Sequence, residues 1–92
     1  MTSYASVDRI EGGLVVIEVE MLPIEESNPE DFDTKATLFV DLELHRIPDA
    51  VGEVNEGDIL VVEHIGDIIT NVYYKDEEEK ARRLDLLSKL LK

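Results

Sequence analysis

Residues 3–20 read SYASVDRIEGGLVVIEVE, and one spacing inside them decides how the chain folds. Val15, Ile17 and Val19 alternate with Val16, Glu18 and Glu20, the period of a strand with one buried face. Ala5 and Val7 keep the same period upstream. Between Val7 and Ile10 the apolar spacing is three, and Asp8 and Arg9 fill the gap. Gly12-Gly13 suits a two-residue hairpin turn, because both central positions then take positive φ. Pairing the strands outward from that turn sets Ile10 opposite Val15 and Arg9 opposite Val16. An unbroken ladder would next bury the Asp8 carboxylate against Ile17, at a cost of several kcal/mol. A β-bulge that sets Asp8 and Arg9 together against Val16 avoids this: Val7 then meets Ile17 and Ala5 meets Val19. The spacing therefore predicts a bent hairpin, with Val7 and Ile10 buried and the charged pair at the bend.

The rest of the chain extends that β pattern. Its 92 residues fit a single domain over 1–92 with a small core, burying about 60–65 % of the unfolded surface. Strands are predicted at about 4–10, 14–21, 36–47, 58–65 and 67–74, and a helix at about 76–91. Residues 22–34, LPIEESNPEDFDT, break the periodicity with two prolines and read as an acidic loop. In the third strand Leu38, Val40, Leu42 and Leu44 are expected to face inward, with Asp41, Glu43 and His45 outward. Val51 and Val54 are expected to tuck the following connection onto the core. Ile59–Val62 are apolar on both faces, which places one side of the fourth strand under the helix. Gly66-Asp67 marks a second tight turn.

The helix carries its own grammar. Asp76 followed by Glu79 fits an N-cap with a capping-box partner, and acids at 77–79 with bases at 80, 82, 83, 89 and 92 suit the macrodipole. Leu84, Leu87 and Leu91 are expected to pack on the sheet. Leu86 and Leu90 widen the apolar arc beyond what one small sheet covers. Arg83, Leu86 and Leu90 are thus the expected interface to a protein partner or a second copy of the chain.

Charge and composition narrow the function. A net charge of −13 repels phosphate backbones and disfavours nucleic acid as a partner. The chain has no cysteine, hence no disulfide framework and no thiol chemistry. No apolar run reaches the ~20 residues of a membrane span, and the start MTSYASVDRI has neither a basic end nor an apolar signal core. A cytoplasmic protein without membrane contact is expected. The loop acids Glu25, Glu26, Glu30, Asp31 and Asp33 lack EF-hand spacing and the glycine such a loop needs. His45, with Asp41 and Glu43, could at most supply one imidazole and two carboxylates to zinc. Ser3, Ser6, Ser27 and Ser88 sit in no nucleophile turn, and there is no phosphate-binding glycine loop. No catalytic residue, metal ligand or cofactor is assigned. A charged pair at a bulge can re-aim side chains toward a ligand, which makes Asp8, Arg9 and Glu11 a candidate recognition patch.

The segments VDRIEGG, HRIPDAV and VNEGDILVV, followed by an acidic-to-basic helix, resemble a family of small bacterial and archaeal proteins catalogued as a domain of unknown function. The similarity covers residues 4–22 and 45–91 and rests on its V-D-R-x-E-G hairpin, E-G-D-x-L strand and charged C-terminal helix. It implies a small β-barrel with a terminal helix and transfers no catalytic residue. The longer acidic segment at 23–36 departs from the family pattern.

The expected fold is mainly β: a five-stranded antiparallel bent sheet, or a small SH3-like or OB-like barrel, with one C-terminal helix. The expected function is an acidic, non-catalytic interaction module that binds a protein partner or itself. A metal-binding or accessory domain of a hydrolase is the alternative, and an OB-type nucleic-acid binder is a third reading that the charge disfavours.

Overall fold

The computed structural model describes residues 1–27 and 36–91. Five strands form one antiparallel sheet: β1 (Thr2–Glu11), β2 (Leu14–Glu20), β3 (Thr37–Glu43), β4 (Ile59–Ile65) and β5 (Ile68–Lys75). Their order is β3-β2-β1-β4-β5, so β1 is central and β3 and β5 are the edges. The sheet is open; it bends without closing into a barrel. One helix, α1 (Glu77–Leu90), follows β5.

The bulge lies at the anticipated place. Val7 pairs with Ile17, Arg9 with Val16 and Ile10 with Val15, with the register shift between Val7 and Arg9. On the other side of β1 the ladder to β4 ends at Ser6–Ile59. There the Val7 N–H donates to the Asp58 carbonyl, and the Gly57 N–H donates to the Val7 carbonyl. The Arg9 guanidinium bonds the Asp8 carboxylate at 2.7 Å and that of Glu11 at 3.1 Å, so the extra residue turns both its charges to solvent. Ile10 corrects the expectation that it is buried: it keeps 36 % exposure. β4 begins only at Ile59, beside Ser6, so no neighbouring strand flanks β1 on that side beyond the bulge.

One face of the sheet carries the core. Ala5, Val7, Ile17, Val19, Leu42, Leu60 and Val62 are enclosed there. Val51 and Val54, from the connection between β3 and β4, close over them as the sequence pattern requires. That connection also reaches edge strand β5: Arg46 donates to the Ile69 carbonyl at 2.6 Å, and Lys75 donates to the Glu53 carbonyl at 2.6 Å. β3 stops at Glu43 rather than near residue 47, and Leu44–Arg46 form a 3₁₀ turn. The reason is the length of its partner. β2 starts at Leu14, and the Leu44 N–H already bonds the Gly13 carbonyl in the turn, so the ladder has no further rungs. Leu44 is correspondingly exposed instead of inward, and Leu38, on the same edge strand, also keeps 36 % exposure. All four residues Ile59–Val62 are buried, as a strand covered on both faces demands.

Gly12 and Gly13 turn the first hairpin with φ of 54° and 84°. A Cβ on Gly13 would meet no atom within 4 Å, so substitution there acts through backbone strain alone. Gly13→Val is expected to lower unfolding free energy by about 1–3 kcal/mol in urea titration. An unchanged midpoint would show that the turn does not require the left-handed conformation.

Candidate functional site

The second face of the sheet is where α1 docks, and its chemistry is unusual for a helix seat. Alternation along β2 puts Val16, Glu18 and Glu20 on this face, and β1 adds Tyr4 and Ser6. The helix begins where the Asp76 N–H meets the Ile59 carbonyl, and the Asp76 carboxylate caps the Glu79 N–H at 2.9 Å as expected of an N-cap, while the reciprocal capping-box bond is not made because the Glu79 carboxylate turns to Arg82 and Arg83. From there α1 presents a seam of Glu79, Arg83 and Leu86, spaced four and three residues apart.

That seam is largely ionic. Arg83 Nε donates to Glu79 at 2.8 Å, and its Nη1 lies 2.7 Å from the Glu20 carboxylate. Arg82 gives Glu79 a second cation. The Arg83 guanidinium also stacks 5.0 Å above the Tyr4 ring. Only 15 % of the Arg83 side chain is exposed, and both carboxylates are almost fully enclosed. Burial works against the Arg83 charge, but the hydrogen bonds to Glu79 and Glu20 outweigh it and push its pKa further up. Burial, then the Glu79 and Asp76 charges, push the Tyr4 phenol up as well. Arg83 Nη2 is enclosed without a hydrogen-bond partner among the described residues. Beside Arg83, a cavity of about 300 Å³ is lined by Ser6, Glu18, Glu20, Thr37 and Ile59.

A second ion pair fixes the start of the helix. Lys80 Nζ bonds Asp58 at 2.8 Å, and the other Asp58 oxygen accepts the Asn55 N–H at 2.8 Å. Burial works to raise the Asp58 pKa, yet the Lys80 ammonium and the Asn55 N–H prevail and hold it below the ordinary carboxylate range. The Lys80 ammonium is held above its ordinary range, first by the hydrogen bond to Asp58.

These ion pairs overturn the expectation that Leu84, Leu87 and Leu91 pack on the sheet. Their exposures are 58 %, 47 % and 79 %, and Leu90 is 68 % exposed. Sinking them would require turning α1 by about 100°. That would take Arg83 from the enclosed Glu20, a loss of about 3–5 kcal/mol, and would part Lys80 from Asp58 as well. Covering the exposed remainder of the three leucines would return roughly 3–6 kcal/mol. With both ion pairs kept, the leucines face out.

Of the residues expected at an interface, Leu90 is exposed, Leu86 is partly covered, and Arg83 is committed to Glu20 and Glu79 within the chain. Sequence reasoning missed Glu20 and gave Glu79 a capping role in place of its ion pairs with Arg82 and Arg83. The available signal was Glu18 and Glu20 on the wetter face of β2, in a chain whose nine Lys and Arg include four at 80–89. Asp8, Arg9 and Glu11 cluster at the bulge. Beside them Ile10, with Leu44, Ile47, Pro48 and Val54, lines an open cleft of about 480 Å³ edged by Asp49 and Glu53.

His45 leaves the strand for the 3₁₀ turn and lies 3.3 Å from Glu43. Among the described residues no group of three or more His, Asp or Glu side chains could hold a metal ion. Glu25 and Glu26 stand on a 3₁₀ turn, Ile24–Glu26; Glu30, Asp31 and Asp33 lie outside the described residues. His64 is enclosed on the core face, its Nδ1 2.9 Å from the Gly66 carbonyl and its Nε2 3.0 Å from Ser3 Oγ. Ser3 Oγ lies 2.7 Å from the Leu22 carbonyl. The pair ties the start of β1 to the end of β4. Among the described residues no helix is long and apolar enough to cross a membrane.

No family model, curated protein or solved structure matches this chain.

The Asp58–Lys80 pair has a defined pH signature. Because the folded pKa of Asp58 is depressed, its contribution is complete above the ordinary carboxylate range and is lost as pH falls through the lower folded value. Asp58→Asn is expected to cost about 1–2 kcal/mol at pH 7, and the difference from the parent should shrink as pH falls below the ordinary carboxylate range. A difference that persists undiminished in acid would contradict the ion pair.

Proposed function

We propose that this chain is a non-catalytic interaction module that associates with a second copy of itself through the outward leucine face of α1. The observation that carries the proposal is the orientation of that helix. Its ionic seam faces the sheet, leaving Leu84, Leu87, Leu90 and Leu91 half to four-fifths exposed. From Leu87 onward every described residue of the helix is exposed. A helical end of this kind gains nothing from its own sheet, and covering its leucines would recover roughly 4–8 kcal/mol before the costs of association. The interface residues are then Leu84, Leu87, Leu90 and Leu91, in place of Arg83 and Leu86.

Other features support a surface role. Glu20, Glu79 and the Nε and Nη1 groups of Arg83 are engaged in seating the helix, and the charged pair at the bulge is engaged with itself. The cytoplasm is the compartment proposed for this association. The motifs VDRIEGG and EGDIL place the chain, on the same proposal, beside the small family of unknown function that they resemble.

Sedimentation equilibrium tests the proposal. The parent chain is expected to exceed its monomer mass of 10.4 kDa at tens to hundreds of micromolar. Leu87→Gln/Leu91→Gln, which removes apolar area without altering charge, should stay monomeric with an unchanged unfolding midpoint. A parent chain that remains monomeric throughout would refute the reading.

A further inference from the structure

The sheet carries a second open surface, separate from the leucines of α1. We infer that the outer edge of β3 takes up an extended segment of a partner protein, one that alternates cationic and apolar residues, as a further strand of the five-stranded sheet.

The backbone of β3 defines that edge. The Leu44 N–H bonds the Gly13 carbonyl, and the Met21 N–H bonds the Ala36 carbonyl. Bonded and non-bonded pairs alternate along an antiparallel ladder, so Leu38, Val40 and Leu42 turn their peptide groups to β2. Thr37, Phe39, Asp41 and Glu43 turn theirs outward, where nothing pairs with them among the described residues.

The two edges of the sheet differ. β5 shifts register twice against β4, and Arg46 covers its Ile69 carbonyl. Bulges and covering groups are among the devices that close an edge to other chains. β3 has neither: its register to β2 is unbroken over seven residues, and it contains no proline. Phe39 on this edge keeps 58 % exposure. An edge of this kind binds an added strand through main-chain hydrogen bonds, and alternate side chains select which strand.

Those side chains select cations and apolar groups in turn. On the core side the edge presents Leu38, Val40 and Leu42, which suit an apolar residue at every second position. On the helix side it presents Phe39, Asp41 and Glu43, with Glu18 behind Phe39 on β2. Asp41 is exposed and makes no ion pair among the described residues, and Glu43 has His45 at 3.3 Å. The bases that share this side of the sheet are engaged elsewhere. Arg9, in the row Arg9–Val16–Asp41, bonds Asp8 and Glu11, and Arg83 bonds Glu20 and Glu79. A lysine or arginine opposite Asp41 on an added strand therefore meets an unpaired carboxylate. The β3 of a second copy would bring the same two acids, no base and a further net charge of −13, so the occupant is a segment of another protein.

Amide hydrogen exchange of the full chain, read residue by residue by NMR, tests the inference. The probe is an end-blocked peptide alternating lysine and valine over about seven residues, the length of β3. At saturating peptide the Thr37, Phe39, Asp41 and Glu43 amides should exchange about tenfold more slowly, while those of Leu38, Val40 and Leu42, already bonded to β2, should change little. The same peptide N-methylated at its lysines, whose N–H groups face β3, should protect none of them, nor should a glutamate–valine peptide. Asp41→Lys should weaken binding about tenfold. Absent protection, protection without the two-residue alternation, or equal protection by the N-methylated peptide would overturn the inference. Protection of the same amides on raising the chain's own concentration without peptide would give the edge to a second copy and overturn it as well. None of these outcomes depends on the leucines of α1, so the inference can fail while that association stands.

Discussion

Arg83 stands between two carboxylates from different elements, Glu20 at the end of β2 and Glu79 one turn earlier on α1, and the placement of the helix depends on that bridge. It compensates both enclosed acids, with Arg82 also on Glu79, and breaking a buried pair of this kind costs about 3–5 kcal/mol, a large share of a small domain's stability. Tyr4 supplies the floor and the Asp58–Lys80 pair sets the other end. Two ionic contacts three residues apart on the helix fix both its direction across the sheet and its rotation about its own axis. Everything apolar on the remaining surface of α1 is then outward by default.

The bulge does similar work on the opposite end of the molecule. One extra residue in β1 returns Val7 and Ala5 to the core and ends the ladder to β4, so that Asn55–Asp58 can fold against Val7. Asp58 thereby serves three partners: its carbonyl holds Val7, and its carboxylate holds Asn55 and Lys80. The same local event uncovers Ile10 and opens the cleft. The bulge and the helix seat are thus linked through one residue of the E-G-D segment.

The sheet was legible in the sequence because strand alternation is a strong signal and one conflict in it, at Asp8 and Arg9, had a single inexpensive resolution. The paired glycines and the Asp76 N-cap were legible for the same reason: each requires a specific residue type at a specific position. The rotation of α1 was not legible. Leucine spacing pointed to one face, and nothing local reveals that Glu20, far away in sequence, sits within 2.7 Å of Arg83. The exposure of Ile10 and Leu44 escaped because it depends on where a neighbouring strand begins or ends, which periodicity within a strand does not report.

The central claim is that ion pairs outrank leucines at the helix seat. Solvent paramagnetic relaxation of leucine methyl groups in dilute, monomeric protein measures it directly, with a neutral soluble radical as the probe. Leu84, Leu87, Leu90 and Leu91 should relax strongly, Leu86 less so, and Leu42 and Leu60 scarcely at all. Protection of Leu84 and Leu87 to the level of Leu42 would contradict the account, since the helix would then bury its leucines and leave Glu20 without Arg83.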